Sequence, residues 1–409
     1  MAAYFRPQPK RMSRKSKLAA AIFASAALAT AALDQLLYQP EIPLHHPAIR
    51  YYEAPLDNPV TRLIGTELEF KPGFGYLQSV LRHLGIALDT QALVFSKTSF
   101  QAAKIGPRNP RAIYFNDNVA VGWVRGSDDV EIAVSDPNQG AVFYALRQGP
   151  DGKPVFDRNE ACLKCHQGPQ TIGVPGMFIS SVFPSASGMP DSDRQSAIIT
   201  DHRTKFEERW GGWYVTGQSG EQRHRGNAIA PNPAEPKQLE TYGTINLTNL
   251  MRKFDPAGYL TPVSDMIALM TFEHQTQMVN LFTRLNWETR IAGKPTPQLN
   301  SRIEDVADYM LFQDEDQLKE PIEGVSTFTR TFPQQGPRDK KGRSLRDFDL
   351  KTRLFRYPLS YMIYSPSFDA LPAWVRAKIH TRLLEKLKNL PEGQAIAGIL
   401  RDTKKDLAF

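Results

Sequence analysis

The stretch from Ala112 to Leu146 reads AIYFNDNVAVGWVRGSDDVEIAVSDPNQGAVFYAL. Four β-prone runs stand out in it: Ala112 to Phe115, Val119 to Val124, Val130 to Val134 and Ala141 to Leu146. Asn, Asp and Gly separate them, so this part of the chain is predicted to be an antiparallel sheet. Upstream, Tyr76 to Ile86 has the spacing of a short amphipathic helix, and residues 35–60 hold five prolines and read as an extended lead-in. Downstream, further strands are predicted at Met177 to Phe183, Ala197 to Thr200 and Trp213 to Thr216. Helices then take over from Asp265 to about Ala292, from Asn300 to Gln313 and from Pro372 to Leu390. The expected fold class is α+β, with a β-rich region over 61–150, a middle region over 151–260 and a mainly helical C-terminal region over 261–409.

With 409 residues and 41% hydrophobic content, the chain is long enough for two domains or one large one. Its formal charge of +7 is concentrated at one end. Arg6, Lys10, Arg11, Arg14, Lys15 and Lys17 lie in the first 31 residues with no acidic residue among them, which leaves the remainder at +1. No basic footprint for a phosphate backbone is left in the body, so nucleic acid is not an expected partner. The leader itself has the layout of an export signal. A basic stretch is followed by an apolar one from Leu18 to about Leu33, and Ala29-Thr30-Ala31 fits a small-residue cleavage site that would leave a mature chain beginning near Ala32. The other reading of 1–31 is an uncleaved anchor, the one way in which the membrane becomes a partner. Either way the body is expected outside the inner membrane, in the periplasm.

The two cysteines of the chain stand three apart in Ala161-Cys-Leu-Lys-Cys-His166. C-x-x-C-H is the signature for covalent attachment of haem c: two thiols on one helical turn reach the two vinyl groups, and the next residue presents an imidazole to the iron. This makes Cys162, Cys165 and His166 the predicted cofactor-binding residues, with His166 as a metal ligand and one covalent haem as the cofactor. Two other readings stay open at this level. Outside the cytoplasm such a pair ordinarily forms a disulfide or redox couple, although Gly168, Pro169, Gly173, Pro175 and Gly176 follow where a thioredoxin-like site would continue its helix. A structural zinc site needs further ligands, and there is no second close pair.

A sixth iron ligand would separate a carrier from a catalyst. Met266, Met270, His274 and Met278 recur every four residues on one predicted helix; the default for such a stripe is core packing, and His274 is its candidate metal ligand. Met177 and Met189 are further candidates downstream of the motif. The segment from Asp201 to Asn227 is dense in chemistry, with His202, Arg203, Glu207, Glu208, Arg209, Trp210, His224 and Arg225. It is open to two readings: a distal acid-base group with partners for haem propionates, or a solvated turn with a structural ion-pair network. His45 and His46 fall in the proline-rich lead-in, where exposure is the default. Phosphate-binding glycine loops and a nucleophile elbow do not occur in the sequence.

Five stretches carry a resemblance: VFSKTS at 94–99, PRAIYFND at 110–117, the haem motif, DHRTKFEERWGGWYVTG at 201–217 and the segment from Ser344 to Pro372 that begins SLRDFDLKTRLFRYP. Together they resemble a largely uncharacterised family of exported bacterial cytochrome c domain-containing proteins with a single C-x-x-C-H motif. The resemblance covers about Leu63 to the end. It implies haem binding and an electron-transfer role, and it assigns only Cys162, Cys165 and His166. Two function classes follow. One is a monohaem redox protein that exchanges electrons with a periplasmic partner. The other is a haem enzyme of peroxidase or oxygenase type, in which the large body builds a pocket for a small-molecule substrate. A gas sensor that binds without turnover is a third.

Overall fold

The computed structural model describes residues 40–147, 153–191, 197–232 and 234–407. The expected export signal over 1–31, its cleavage site and the start of the lead-in lie outside the described residues. Among those described, no helix is long and apolar enough to cross a membrane.

The stretch around Ala112 to Leu146 folds as four strands: Arg111–Phe115 (β2), Val119–Val124 (β3), Asp129–Asp136 (β4) and Gly140–Arg147 (β5). Ala92–Val94 (β1), Val155–Arg158 (β6) and Trp213–Tyr214 (β9) complete a sheet of seven described strands in the order β6-β5-β4-β3-β2-β1-β9, antiparallel throughout. Ile179–Ser181 (β7) and Ile198–Thr200 (β8) pair separately. The turns follow from side chains that replace backbone partners. Asn116 Oδ1 accepts from the N–H groups of Asn118 and Val119 at 3.0 and 2.9 Å and closes β2 onto β3. Asp136 Oδ1 does the same for Asn138 and Gln139 ahead of β5.

Alternation along these strands divides the sheet into two unlike faces. Tyr114, Val121, Trp123, Ile132, Val142 and Tyr144 bury one face against the helix Leu77–His83 (α1) and the loops around it. Ile113, Phe115, Ala120, Ala133 and Phe143 lie on the other face, toward the helical half of the chain.

That half is organised by Met266–Ala292 (α3, numbered after the short Leu163–His166, α2), which at 27 residues is about 40 Å long. Asp265 caps it by accepting from Ile267 N at 2.8 Å, and Gly293, at φ +64, ends it. Almost its whole circumference is buried, its polar residues included. Pro297–Met310 (α4) packs on it, Ala373–Leu387 (α5) on α4, and Gly393–Thr403 (α6) on α5. The largest apolar cluster runs from Ala92 in β1 to Leu407, so sheet and helices share one core. The architecture is mixed α/β: an antiparallel sheet with a mostly helical C-terminal part.

The described part of the lead-in is docked on this body. Ile42, Ile49 and Tyr51 are buried, Tyr51 donates its hydroxyl to the Ala141 carbonyl at 2.8 Å, and Ile42 N donates to Gly173 O at 2.9 Å. Its apolar anchors have no regular spacing, which is why they carry no periodic signal.

Asp265 is itself fully buried, and its second oxygen accepts from Val325 N at 2.9 Å and Ser326 N at 2.7 Å. Asp265→Ala therefore removes a helix cap and orphans two backbone donors. The expected loss of stability is about 3 kcal/mol, read as a lower urea midpoint at constant m value. Asp265→Asn, which keeps one acceptor oxygen, is expected to lose less.

Candidate functional site

The C-x-x-C-H motif is one compact turn. Asn159 Oδ1 accepts from Ala161 N at 3.2 Å and starts a 3-10 turn over Glu160–Cys162, which runs directly into α2. Leu163 is buried among Phe143, Val174 and Trp287 and pins the turn to the body. Cys162 is half-buried, Cys165 is exposed and both thiols are free. The fold thus brings Cys162, Cys165 and His166 together on a single turn at the surface.

The imidazole of His166 is held by one residue twice. Its Nδ1 lies 2.8 Å from the Gly176 carbonyl, and Gly176 N donates to the His166 carbonyl at 2.9 Å. A carbonyl can only accept, so Nδ1 carries the proton and Nε2 holds the free lone pair. Phe143 and Phe178 flank the ring at centroid distances of 4.8 and 5.2 Å. Burial keeps the imidazole neutral by lowering its pKa, an effect that the Gly176 hydrogen bond partly offsets. A neutral imidazole whose second nitrogen is fixed by a carbonyl is the form in which histidine binds a metal. The Cys162 thiol is pushed up to about 11, mainly by burial and then by Glu131. Redox-active and metal-binding cysteines are normally pushed the other way.

Beside the motif, the inner sheet face is only partly covered. At one end α3 closes it, with Phe272 stacked on Phe115 at 4.4 Å and Thr283 filling the space where a side chain on Gly140 would stand. At the other end Arg111, Glu131 and Ala145 are half-exposed, and Arg147, Val155 and Asp157 are exposed. His166 sits at the boundary, on Phe143. The floor there is built of small residues, Ala133 and Ala145 with Gly122 and Ala120 on the neighbouring strand. The sequence reading did not single out Arg111, Glu131, Gly122, Phe143 or Gly176. The signal available for the first two was alternation: each is a charged residue inside a β run, in phase with the inner face.

The structure does not bring His274 to the motif. Its Nδ1 is 2.9 Å from His202 Nδ1, its Nε2 is 2.7 Å from Ser360 Oγ, and its ring stacks on Phe312 and Tyr309 at 4.2 and 5.3 Å. None of these residues touches His166. Both ring nitrogens are therefore engaged inside the core, and Met266, Met270 and Met278 beside it are core packing. Met177 is buried with them, whereas Met189 is exposed.

The segment 201–227, which contains β9, is mostly buried rather than a solvated turn. Arg209 donates to the carbonyls of Thr204 and His202 at 2.8 and 2.9 Å and faces Glu273 at 3.5 Å, with both side chains almost fully buried. Trp210 is buried, has φ +69 and leaves its indole N–H unpaired among the described residues. A bulky residue in the left-handed region costs on the order of 1–3 kcal/mol. The conformation persists because Gly211 and Gly212 lie against Val182 and Ser96 with no room for a side chain. His224 packs edge-on against Trp210 at 5.0 Å and is pushed down to about 3 by burial. His202 is likewise held neutral, first by burial and then by Arg203 and Arg209.

Among the described residues no three His, Cys, Asp or Glu side chains converge to hold a metal ion. No family model matches the chain, and no curated protein or solved structure matches it either.

Burial raises Glu273 to about 7 from an ordinary 4.5, and Arg209 offsets part of the rise. Its stabilising contribution is therefore complete below about pH 4.5 and is lost as the pH rises through 7. The buried histidines act in the opposite sense: their contribution is present above their ordinary 6.5 and is lost as the pH falls. Glu273→Gln is expected to remove the first dependence alone. Urea unfolding at several pH values should show the wild type losing stability relative to the variant between about pH 5 and pH 8.

Proposed function

We propose that this chain binds one haem c covalently and works as an exported electron-transfer protein. Cys162 and Cys165 would hold the porphyrin, each thiol adding across one vinyl group, and His166 would bind the iron. The observation that carries the reading is the His166 ring, whose Nδ1–H donates to Gly176 while Nε2 has no hydrogen-bond partner among the described residues, on a turn that also presents two unbridged thiols. A redox couple of the thioredoxin kind calls for a lowered thiol pKa at the start of a long helix; here the thiol is raised and the helix is four residues long.

When bound, the haem supplies a one-electron couple between ferric and ferrous iron. The chain's own residues do the rest. Gly176 fixes the tautomer and direction of the imidazole, Leu163 anchors the turn, and Phe143 and Phe178 exclude water from the ring. The position of the turn supports exchange with a partner: Lys164 and Cys165 are exposed, so one edge of the cofactor would be reachable from outside. Covalent haem c and the basic-apolar leader are consistent with one another, and the proposed location is the periplasm, with a periplasmic redox partner.

Expression with cytochrome c maturation machinery is expected to give one haem per chain that survives denaturing electrophoresis. A Cys162→Ser, Cys165→Ser variant should carry none. His166→Ala is expected to retain the thioether bonds and change the spin state seen in the absorption spectrum. His274→Ala, whose nitrogens are engaged elsewhere, should leave the spectrum as in the wild type and lower the thermal midpoint. Absence of covalent haem from the wild-type protein would overturn the assignment.

A further inference from the structure

Arg111 and Glu131 form an ion pair at 2.5 Å on the inner sheet face, each side chain 23% exposed. The two residues are not on neighbouring strands: Arg111 belongs to β2 and Glu131 to β4, with β3 between them. The guanidinium reaches across β3 over Gly122, which lies directly opposite Glu131, and a Cβ at position 122 would overlap it. Ser99 Oγ also donates to the carboxylate, at 3.3 Å. Arg111 Nε is buried and has no hydrogen-bond partner among the described residues, so the pair is an incompletely satisfied structural staple.

Register places this pair next to the motif. Ala133, directly opposite Phe143, is two residues from Glu131 on the same face, about 7 Å along the strand. The Phe143 ring is the one that packs on His166 at 4.8 Å. As a half-exposed pair, the two would contribute only about 0–1 kcal/mol to stability, which gives little reason to thread an arginine over a glycine.

We propose that Arg111 and Glu131 are positioning residues that set the reduction potential of the haem; the proposal rests on the haem reading above. Ferric haem carries one more positive charge than ferrous haem. A carboxylate beside it favours the ferric form and lowers the potential, whereas a guanidinium favours the ferrous form and raises it. Paired, the two nearly cancel. Unpaired, a unit charge at a separation on the order of 10 Å and an effective dielectric constant of about 20 shifts the ferric-to-ferrous equilibrium by on the order of tenfold, equivalent to about 59 mV for one electron.

The test is spectroelectrochemical titration of the purified holoprotein and its variants, each first shown to carry covalent haem. Arg111→Leu is expected to lower the potential by about that amount and Glu131→Gln to raise it. The double variant should return close to the wild-type value, and Arg111→Lys should rescue the single loss. Gly122→Ala, which moves the guanidinium without changing any charge, should lower the potential by less. A merely structural pair would move the unfolding midpoint in these variants and leave the potentials together, an outcome that overturns the proposal while the haem reading stands. Shifts of the same sign in both single variants also overturn it. A wild-type protein without covalent haem overturns the proposal and the reading it rests on.

Discussion

A helix buried on almost every side must find an internal partner for each polar group it carries, and α3 carries one on nearly every turn. The partners are spread over several loops and turns. Asp265 takes the backbone of Val325 and Ser326, Glu273 faces Arg209, and His274 joins His202 to Ser360. Gln275 donates to Asn116 O at the β2–β3 turn and accepts from Tyr361, Asn280 donates to Met177 O, and Trp287 donates to Asn138 O before β5. Breaking any one of these hydrogen bonds leaves a buried donor or acceptor unpaired, at about 1–3 kcal/mol each, whereas the Glu273 carboxylate has no hydrogen-bond partner among the described residues and rests on the Arg209 charge. The apolar face of α3 holds the layers together, and its polar residues decide which loop sits where.

The candidate site is one product of that arrangement. Asn280 holds the Met177 carbonyl at 2.8 Å, and Arg284 donates to the carbonyls of Ile172 and Pro40. Between these two anchors the chain is fixed so tightly that a Cβ on Gly176 would overlap the Asn280 amide. Gly176 is then the residue whose carbonyl orients His166 and whose N–H holds the His166 backbone. The direction of the imidazole is thus set from α3, more than a hundred residues downstream, through a loop that itself contains no chemistry. A glycine is required at that point because the neighbouring amide takes the space of a side chain.

Much of the sheet was legible from Ala112 to Leu146, because half-buried strands alternate and their turns use Asn, Asp and Gly. The motif was legible because its spacing is itself the chemistry. The site's surroundings were not. Phe143 and Gly176 gain their roles from contacts with residues far away in sequence, and nothing local marks them. Reading 201–227 as a solvated turn failed for a related reason: a run of charged residues looks solvated unless its partners are known, and Glu273, the partner of Arg209, is a buried residue of a distant helix. His274 stood out for being a histidine among methionines. In the structure that setting reflects a buried hydrogen-bonded pair with His202, whose partner lies 72 residues away.

Why the inner face is left half-open follows from the direction of α3. The helix contacts the sheet at the β2–β3 and β4–β5 turns, through Phe115, Asn116, Asn138 and Gly140, which all lie at one end of the strands. At the opposite end Arg111, Glu131 and Ala145 are half-exposed and Val155 is exposed. Such an edge has low-dielectric protein beneath it and water above. Charges placed there act more strongly on a neighbour embedded in the protein than the same charges would on an outer surface, yet they cost far less to ionise than the fully buried Arg209 and Glu273. The core pair bears its desolvation as a carboxylate raised to about 7, while Arg111 and Glu131 stay half-solvated beside the motif. A charge pair at such a boundary keeps its field on its neighbours without the full desolvation cost of the core pair.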